Sequence, residues 1–320
     1  MNLTWGPGLL LAVAAVAIGL GSLLLQKEYL VHSKGIVVVT GASSGIGRHF
    51  VESFAAGNSG FTVLAGVRKE SDAESIRAVG LANLLPWVID VSSPTSCADA
   101  SEFVKKMTSE KSLPLVALVN NAGTSRNFPV EFHDLDDVQA LYDINVFGML
   151  RITQMLLPLL RQYQGRVVQI SSLNGRIATP RQSVYASTKF AMEAMSDGLR
   201  REVSSFGVSV SVVEPAYVKT AIFTRVAEAN RRFEEEHAAE SGLAKQIYAH
   251  LYTPEKLAKK KEELSMADEP TVTSRVIEHA IVSSKPKTRY VVANVGGVPA
   301  AVLDWVVWAL PDRAVDILLS

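Results

Sequence analysis

The sequence predicts one α/β domain, a doubly wound parallel sheet, preceded by an N-terminal membrane-anchor helix. Three observations point there. Short β-branched runs alternate with helical stretches from Ile36 to Val292, the pattern of βαβ units. The strand runs are apolar along their whole length, as in a sheet covered on both faces. Residues 1–30 differ in composition from everything that follows.

Gly8–Leu25 reads GLLLAVAAVAIGLGSLLL, 18 residues without a charge. At ~1.5 Å per residue it reaches roughly 27 Å, close to the ~30 Å of a bilayer core. No Lys or Arg precedes it and LLLQKEYL offers no small-x-small site, so a cleaved signal peptide fits poorly. An all-round apolar helix inside a soluble core needs apolar neighbours on every side. A single-pass anchor over residues 1–30 is the expectation. Lys27 and Lys34 follow the run, which puts the rest of the chain in the cytosol, on a membrane such as the endoplasmic reticulum.

The remaining elements follow in order. Ile36–Val39 is a strand, with a glycine-rich turn and a helix from Ile46 to Ala56. Strands follow at Phe61–Val67, Leu84–Ile89 and Leu115–Val119, then one long helix from Val138 to Leu160. Arg166–Ile170 is the fifth strand, Tyr185–Phe206 a helix and Val208–Val213 the sixth strand. Residues 222–267 break the alternation with charged helical sequence before a helix at Val272–Val282 and a last strand at Arg289–Val292. No linker divides residues 31–320, so they form one domain.

Composition narrows the function. The chain has 320 residues, 48% hydrophobic, with 32 basic and 32 acidic side chains. A neutral balance argues against nucleic acid as a partner. Cys97 is the only cysteine, which rules out an internal disulfide and a multi-cysteine metal site and suits a reducing compartment. No metal is expected.

Thr40-Gly41-Ala42-Ser43-Ser44-Gly45-Ile46-Gly47 follows the first strand and opens the first helix. Glycines let the backbone turn tightly and approach a pyrophosphate, and a helix N-terminus offers NH groups and a positive dipole end. In that context the motif predicts a dinucleotide site of the Rossmann kind, although glycines in a plain βα turn read the same way. Such a unit carries an acid at the end of strand two to hold the ribose of NAD. Here the strand ends Gly66-Val67-Arg68-Lys69. A guanidinium pairs with a 2′-phosphate, so NADP(H) is preferred over NAD(H), unless Arg68 is only a solvated helix start.

Tyr185 and Lys189 are four residues apart, one helical turn on one face. A nearby ammonium favours the phenolate and is expected to lower the tyrosine's pKa, making it a proton donor and acceptor. Ser172 ends the fifth strand and Asn120-Asn121-Ala122-Gly123 the fourth, at the edge where open α/β sheets bind ligands. Asn145 lies in the long helix among Ile144, Val146 and Phe147, as a surface residue or a satisfied core amide.

In these motifs, across nearly all of residues 35–295, the sequence resembles the short-chain dehydrogenase/reductase family. The resemblance implies an acid/base role for Tyr185 and substrate orientation by Ser172. It implies that Lys189 tunes the tyrosine and binds nicotinamide ribose, and that Asn145 holds a relay water. Asp90 and Val91 would contact adenine, Asn120 and Ala122 would line the cofactor groove, and Pro215, Val218 and Thr220 would meet the nicotinamide. The family's usual Pro-Gly is here Pro215-Ala216, whose methyl is expected to crowd the nicotinamide or shift the backbone. Residues 222–267 correspond to the substrate lid, with Ile222, Phe223, Phe233, Ile247, Tyr248, Leu251 and Tyr252 at helical spacing. An apolar lid beside an anchor implies a lipophilic substrate, and the retinol and hydroxysteroid branch is the most similar. Arg176 and Arg181 flank the pocket as surface residues or as a site for an acidic substrate. The tail, residues 298–320, is interrupted by Asp304, Asp312, Arg313 and Asp316. It packs on the domain, joins a homodimer, or lies at a membrane interface. A catalytically silent redox sensor or scaffold at a membrane is the alternative to an enzyme; the combined presence of Tyr185, Lys189, Ser172 and Asn145 argues against it.

Overall fold

The computed structural model describes residues 27–319 except 221–226, 229, 233, 236 and 237. Seven parallel strands carry the domain: β1 (Gly35–Val39), β2 (Phe61–Val67), β3 (Leu84–Val88), β4 (Leu115–Asn120), β5 (Arg166–Ile170), β6 (Ser209–Pro215) and β7 (Arg289–Val292). Their spatial order is β3-β2-β1-β4-β5-β6-β7. The chain winds one way from β1 to β3 and the other from β4 to β7, so the order reverses between β1 and β4. A crevice opens there beyond the strand ends.

Helices cover both faces. Phe50, Val51 and Phe54 of α1 (Gly45–Gly57), Ala73 and Ile76 of α2 (Glu70–Arg77), and Ile277, Ala280 and Ile281 of a helix at Thr271–Val282 pack on Val37, Val39, Val63 and Val213. On the opposite face, Cys97, Ala100 and Val104 of α3 (Pro94–Lys111) and Ile152, Leu156 and Leu160 of a helix at Met149–Tyr163 pack on Ile36, Val38, Leu64 and Val167. Alternate residues of β1 thus feed two cores, which is why the strand lacks polar alternation. Cys97 is fully buried, and burial pushes its thiol pKa up.

The expected single helix from Val138 to Leu160 is three segments. α4 (Leu135–Tyr142) runs into a π-helical stretch, Asp143–Gly148, and then into α5 (Met149–Tyr163). The extra residue per turn re-aims the side chains at Asn145. After it come α6 (Ser183–Val203), α7 (Ala238–Ile247), α8 (Pro254–Ser265) and α9 (Thr271–Val282). Beyond β7 a short hairpin, β8 (Asn294–Val295) with β9 (Val298–Pro299), leads into α10 (Ala300–Ala309) and α11 (Asp312–Leu319).

Residues ahead of β1 are tied to the domain. The buried Arg166 guanidinium donates to the carbonyls of Leu30 at 2.7 Å and Ser283 at 3.0 Å and to Ser209 Oγ at 3.1 Å. Burial pulls its pKa down to about 10. The expected anchor, Gly8–Leu25, lies outside the described residues. Among the described residues no helix is long and apolar enough to cross a membrane.

Candidate active site

The glycine loop is held by contact with β4. Gly41 and Gly45 have φ of +67° and +62°, a region other residues enter at a cost. A Cβ on Gly47 would lie 2.4 Å from Asn121 Nδ2 and 2.5 Å from Gly41 O, and one on Gly41 would lie 2.7 Å from Ala122 Cα. Asn121 Nδ2 donates to the carbonyls of Thr40 and Gly41, while Thr40 Oγ1 accepts from the NH groups of Asn121 and Ala122. Ser44 is the N-cap of α1, yet its side chain makes no capping bond. Ser43, Ser44, Gly45 and Ile46 are half-buried. First-turn NH groups without a side-chain acceptor, over a floor that only glycine fits, suit the pyrophosphate of a dinucleotide.

Other expected cofactor residues sit at or beyond the ends of β2, β3, β4 and β6, and one of them faces a different way from expectation. Arg68 follows the last residue of β2, exposed, just ahead of Lys69, the N-cap of α2, and has no ion-pair partner among the described residues. Asp90 Oδ1 accepts from Ser92 N and Ser92 Oγ, fixing the turn after β3. Val91 packs so closely on Gly148 that a Cβ there would lie 2.9 Å away. Val218 is buried and its segment bridges to Asp268, and Thr220 Cβ is 3.2 Å from a Cβ built on Gly45. The loop after β6 therefore meets the glycine turn. The exception is Asn120: its side chain is buried and donates to Thr153 Oγ1 on α5 at 2.9 Å, so it turns away from the groove it was expected to line. In a strand, neighbouring side chains point oppositely, and Asn121 is the one that reaches the loop.

Pro215 is buried at the end of β6. Ala216 donates its NH to Val292 O at 2.9 Å, is absent from the positive-φ residues and packs on Leu173 and Ile177.

Tyr185, Lys189, Ser172 and Asn145 converge. Ser172 is close enough to the Tyr185 phenol to act on its pKa, and Ser172 Oγ accepts from Asn174 N. Lys189 Nζ donates to Ile170 O at 2.9 Å and lies 5.9 Å from the Tyr185 ring centre. A Cβ on Gly123 would sit 3.4 Å from Asn145 Oδ1 and 3.7 Å from Lys189 Nζ, so the turn after β4 adjoins both. Asn145 is fully buried; it donates to Thr124 O and Thr188 Oγ1 and accepts from Thr124 N. Thr188 Oγ1 in turn donates to Tyr185 O. Asn145 is thus a satisfied core amide whose network reaches the tyrosine's own backbone.

The electrostatics differ from expectation. Burial raises the Tyr185 phenol above its ordinary value, and the opposing pull comes from Ser172 rather than from Lys189. Burial drives the Lys189 ammonium down to about 8, with Glu193 holding it up. The cause is position: the ammonium is engaged by a carbonyl and sits beside the ring.

Behind Lys189 lies a cluster that local sequence did not reveal. Arg289 on β7 bonds Glu193, Glu214 at 2.6 Å and Asp197 at 2.9 Å. Burial and the Glu193 charge raise the Glu214 pKa to about 7. Burial pulls Arg289 down, but bonds to Glu193 and Glu214 outweigh it and raise its pKa.

The lid and tail frame the outer side. Phe223, Phe233 and Ile222 lie outside the described residues. Tyr248 stacks edge-on against Phe132 with ring centres 6.2 Å apart, while Ile247 is exposed. Arg181 stacks on Tyr252 at 4.5 Å and Arg176 pairs with Asp304 of the tail at 2.9 Å; both arginines therefore have partners within the protein.

Comparison with known proteins decides the family. The short chain dehydrogenase model matches residues 35–231. The chain belongs to the short-chain dehydrogenase family. It is 32% identical to human "Retinol dehydrogenase 5" over 91% of this chain and 94% of that protein. It is 35% identical to human "Retinol dehydrogenase 16" over 86% and 87%. A solved short chain dehydrogenase from Burkholderia cenocepacia in complex with NADP shares the fold, with TM-score 0.64, 22% identity, and coverage of 89% of this chain and 97% of that one. This member is an oxidoreductase that acts on alcohols with NAD(P), related to retinol dehydrogenases.

Proposed function

We propose that this protein interconverts an alcohol and a ketone or aldehyde on a lipophilic substrate of steroid, retinoid or lipid type, using NADP(H). The observation that carries the reading is the convergence of Ser172 and Tyr185 with Lys189 buried 5.9 Å from the phenol ring centre, in a fold whose glycine turn is fitted to a pyrophosphate. When bound, the nicotinamide cofactor supplies or accepts the hydride.

The chain's own residues handle the proton. Tyr185 donates its hydroxyl proton to a substrate carbonyl oxygen, or takes one from an alcohol. Ser172 orients that oxygen by a second hydrogen bond. Lys189 steadies the charge that develops on the tyrosine. The Asn145 side chain is committed to Thr124 and Thr188, so its share in a water relay falls to its main-chain carbonyl in the π-helical turn. Gly41, Ser43, Ser44, Gly45 and Gly47 take the pyrophosphate, Asp90 and Val91 the adenine side, and Val218 and Thr220 the nicotinamide side.

Arg68 supports NADP(H): it is a guanidinium without an ion-pair partner among the described residues, just past β2 where NAD-binding units carry an acid. Arg68→Asp is expected to swing the NADPH/NADH ratio of kcat/KM by roughly 10- to 100-fold, the worth of a charged hydrogen bond or two. A wild-type enzyme already favouring NADH would overturn this reading. The substrate class rests on the retinol dehydrogenase relatives and the apolar side chains of the lid. A panel of steroids, retinoids and long-chain ketones, read by NADPH absorbance, tests it; no turnover on any of them would favour the silent-sensor alternative.

We also propose that residues 1–30 hold the chain on a membrane with the catalytic domain facing the cytosol. A reporter fused after residue 30 should stay with membranes through a carbonate wash, and its release would refute the anchor.

A further inference from the structure

The tail turns two faces in opposite directions. Inward, Ala300, Leu303, Val307 and Leu319 pack on Leu173 and Ile177, in the loop that follows Ser172. Asp304 is engaged there by Arg176. Outward, Trp305 and Trp308 are 64% and 75% exposed, and Ile317 and Leu318 of α11 are 80% and 51% exposed. The two tryptophans are three residues apart and share one side of α10. Soluble surfaces seldom present large apolar groups so densely. Tryptophan is the side chain favoured at the headgroup level of a bilayer.

The place where the undescribed chain joins the domain indicates what covers this face. Residues 1–26 carry the 18-residue apolar run and join at Lys27. There, Tyr29 N donates to Ser284 O at 2.9 Å and Glu28 pairs with Lys285 at 2.9 Å, just ahead of β7. The tail departs from the other end of the same strand. β7 has four residues and is the edge of the sheet, so it spans only ~13 Å. The junction with the apolar run and the tail thus both lie along the β7 edge of the sheet. The tail holds three aspartates against one arginine, so anionic lipid gives it no attraction and the contact is apolar.

We propose that the outward face of α10 and α11, led by Trp305 and Trp308, seats in the headgroup layer of the membrane holding the chain, and that lipophilic substrate passes from that layer to the Ser172 side of the site. This rests on the reading of residues 8–25 as an anchor. It also explains why the tail both packs on the domain and keeps its largest apolar side chains outside: each face has its own partner.

The test uses the full-length protein in phosphatidylcholine vesicles with bromine-labelled acyl chains. Wild type and Trp305→Phe/Trp308→Phe are compared, so that the difference in quenching isolates the tail from Trp5 and Trp87. Both proteins should float with the vesicles, and the tail component should be quenched. Trp305→Glu/Trp308→Glu should lower kcat/KM on the order of tenfold for substrate dissolved in the vesicles and leave it within about twofold for a short water-soluble alcohol. Flotation without tail quenching overturns this inference and leaves the anchor standing. No flotation overturns both. Tail tryptophans already shielded before vesicles are added, whether by a second copy of the chain or by residues 1–26, also overturn it.

Discussion

Around the glycine turn, β1 and β4 meet so closely that an added Cβ would stand 2.4–2.7 Å from its neighbours, and polar side chains do little there beyond bracing the backbone. Beside Tyr185 sits Lys189, and behind that lysine the charges of Glu193, Glu214 and Arg289 cluster, the lysine and both glutamates buried and the arginine half-buried. The nucleotide half of the site is defined by space and the catalytic half by electrostatics. Substitutions in the first should act through shape and be indifferent to pH. Those in the second should change with pH even where they leave the fold intact.

The largest effect sharpens the contrast. Tyr185→Phe keeps the ring and removes the proton, so turnover should fall by roughly 10²–10⁴-fold, the usual worth of a positioned acid. NADPH affinity, measured by fluorescence titration, should stay within about twofold. A Tyr185→Phe enzyme with normal turnover would remove the chemistry assigned to this half.

Next comes Arg289→Met, which leaves Glu193 and Glu214 buried without their counter-charge. Stability in urea should drop by about 3–5 kcal/mol at pH 8, the cost of breaking a buried pair, and by less at pH 5. The direction follows from Glu214, whose pKa is raised to about 7 in the folded protein. A raised acid contributes stability that is full below its unfolded value and fades as pH rises through about 7. A loss independent of pH would show that the cluster is packing rather than electrostatics.

Gly47→Ala probes the other half. Its methyl meets Asn121 Nδ2 and the Gly41 carbonyl, and relief of such overpacking costs about 1–3 kcal/mol. NADPH binding should weaken equally at pH 6 and pH 9. A pH-dependent loss would erase the distinction between the halves.

The smallest effect is a displacement of a titration. Lys189 is held at about 8, and Glu193 is the group that raises it. The lysine keeps its charge below that value, so kcat/KM should fall as pH rises past about 8. Glu193→Gln should move that limb to lower pH, with kcat at pH 6.5 nearly preserved. An unmoved limb would mean that Glu193 serves only Arg289.

The same division explains what could be read from the chain. β2 and β5 occupy the spans their apolar runs announce, because a strand buried on both faces has few alternatives, and the edge strand β7 matches its run as well. α3 was harder to see: its buried stripe is built of Cys97, Ala100, Ser101 and Thr108 beside Val104 and Met107, small and polar residues that hardly register as an apolar face. The π-helical turn at Asn145 also has no local signature, since the apolar pattern runs through it unbroken. Two adjacent asparagines ending β4 were visible, but which one faced the glycine turn depended on the pleat. The Arg289 cluster joins β6, β7 and α6 across 75 and 96 residues of chain, and nothing in any one segment announces it. The proximity of Tyr185 and Lys189 was legible from helix periodicity; the sign of the phenol's shift was not, because it depends on burial.

Arg166 sits at the foot of the sheet with its guanidinium closed over the carbonyls of Leu30 and Ser283. The family match begins at residue 35, an inviting place to trim the protein for expression. Cutting there discards one of that cation's two carbonyl acceptors and the Tyr29 ring stacked 5.2 Å from it, and strips the cover from the ion at the start of β5. A shortened chain would begin with a fault built into its base, so the smallest sound fragment starts at or before Lys27.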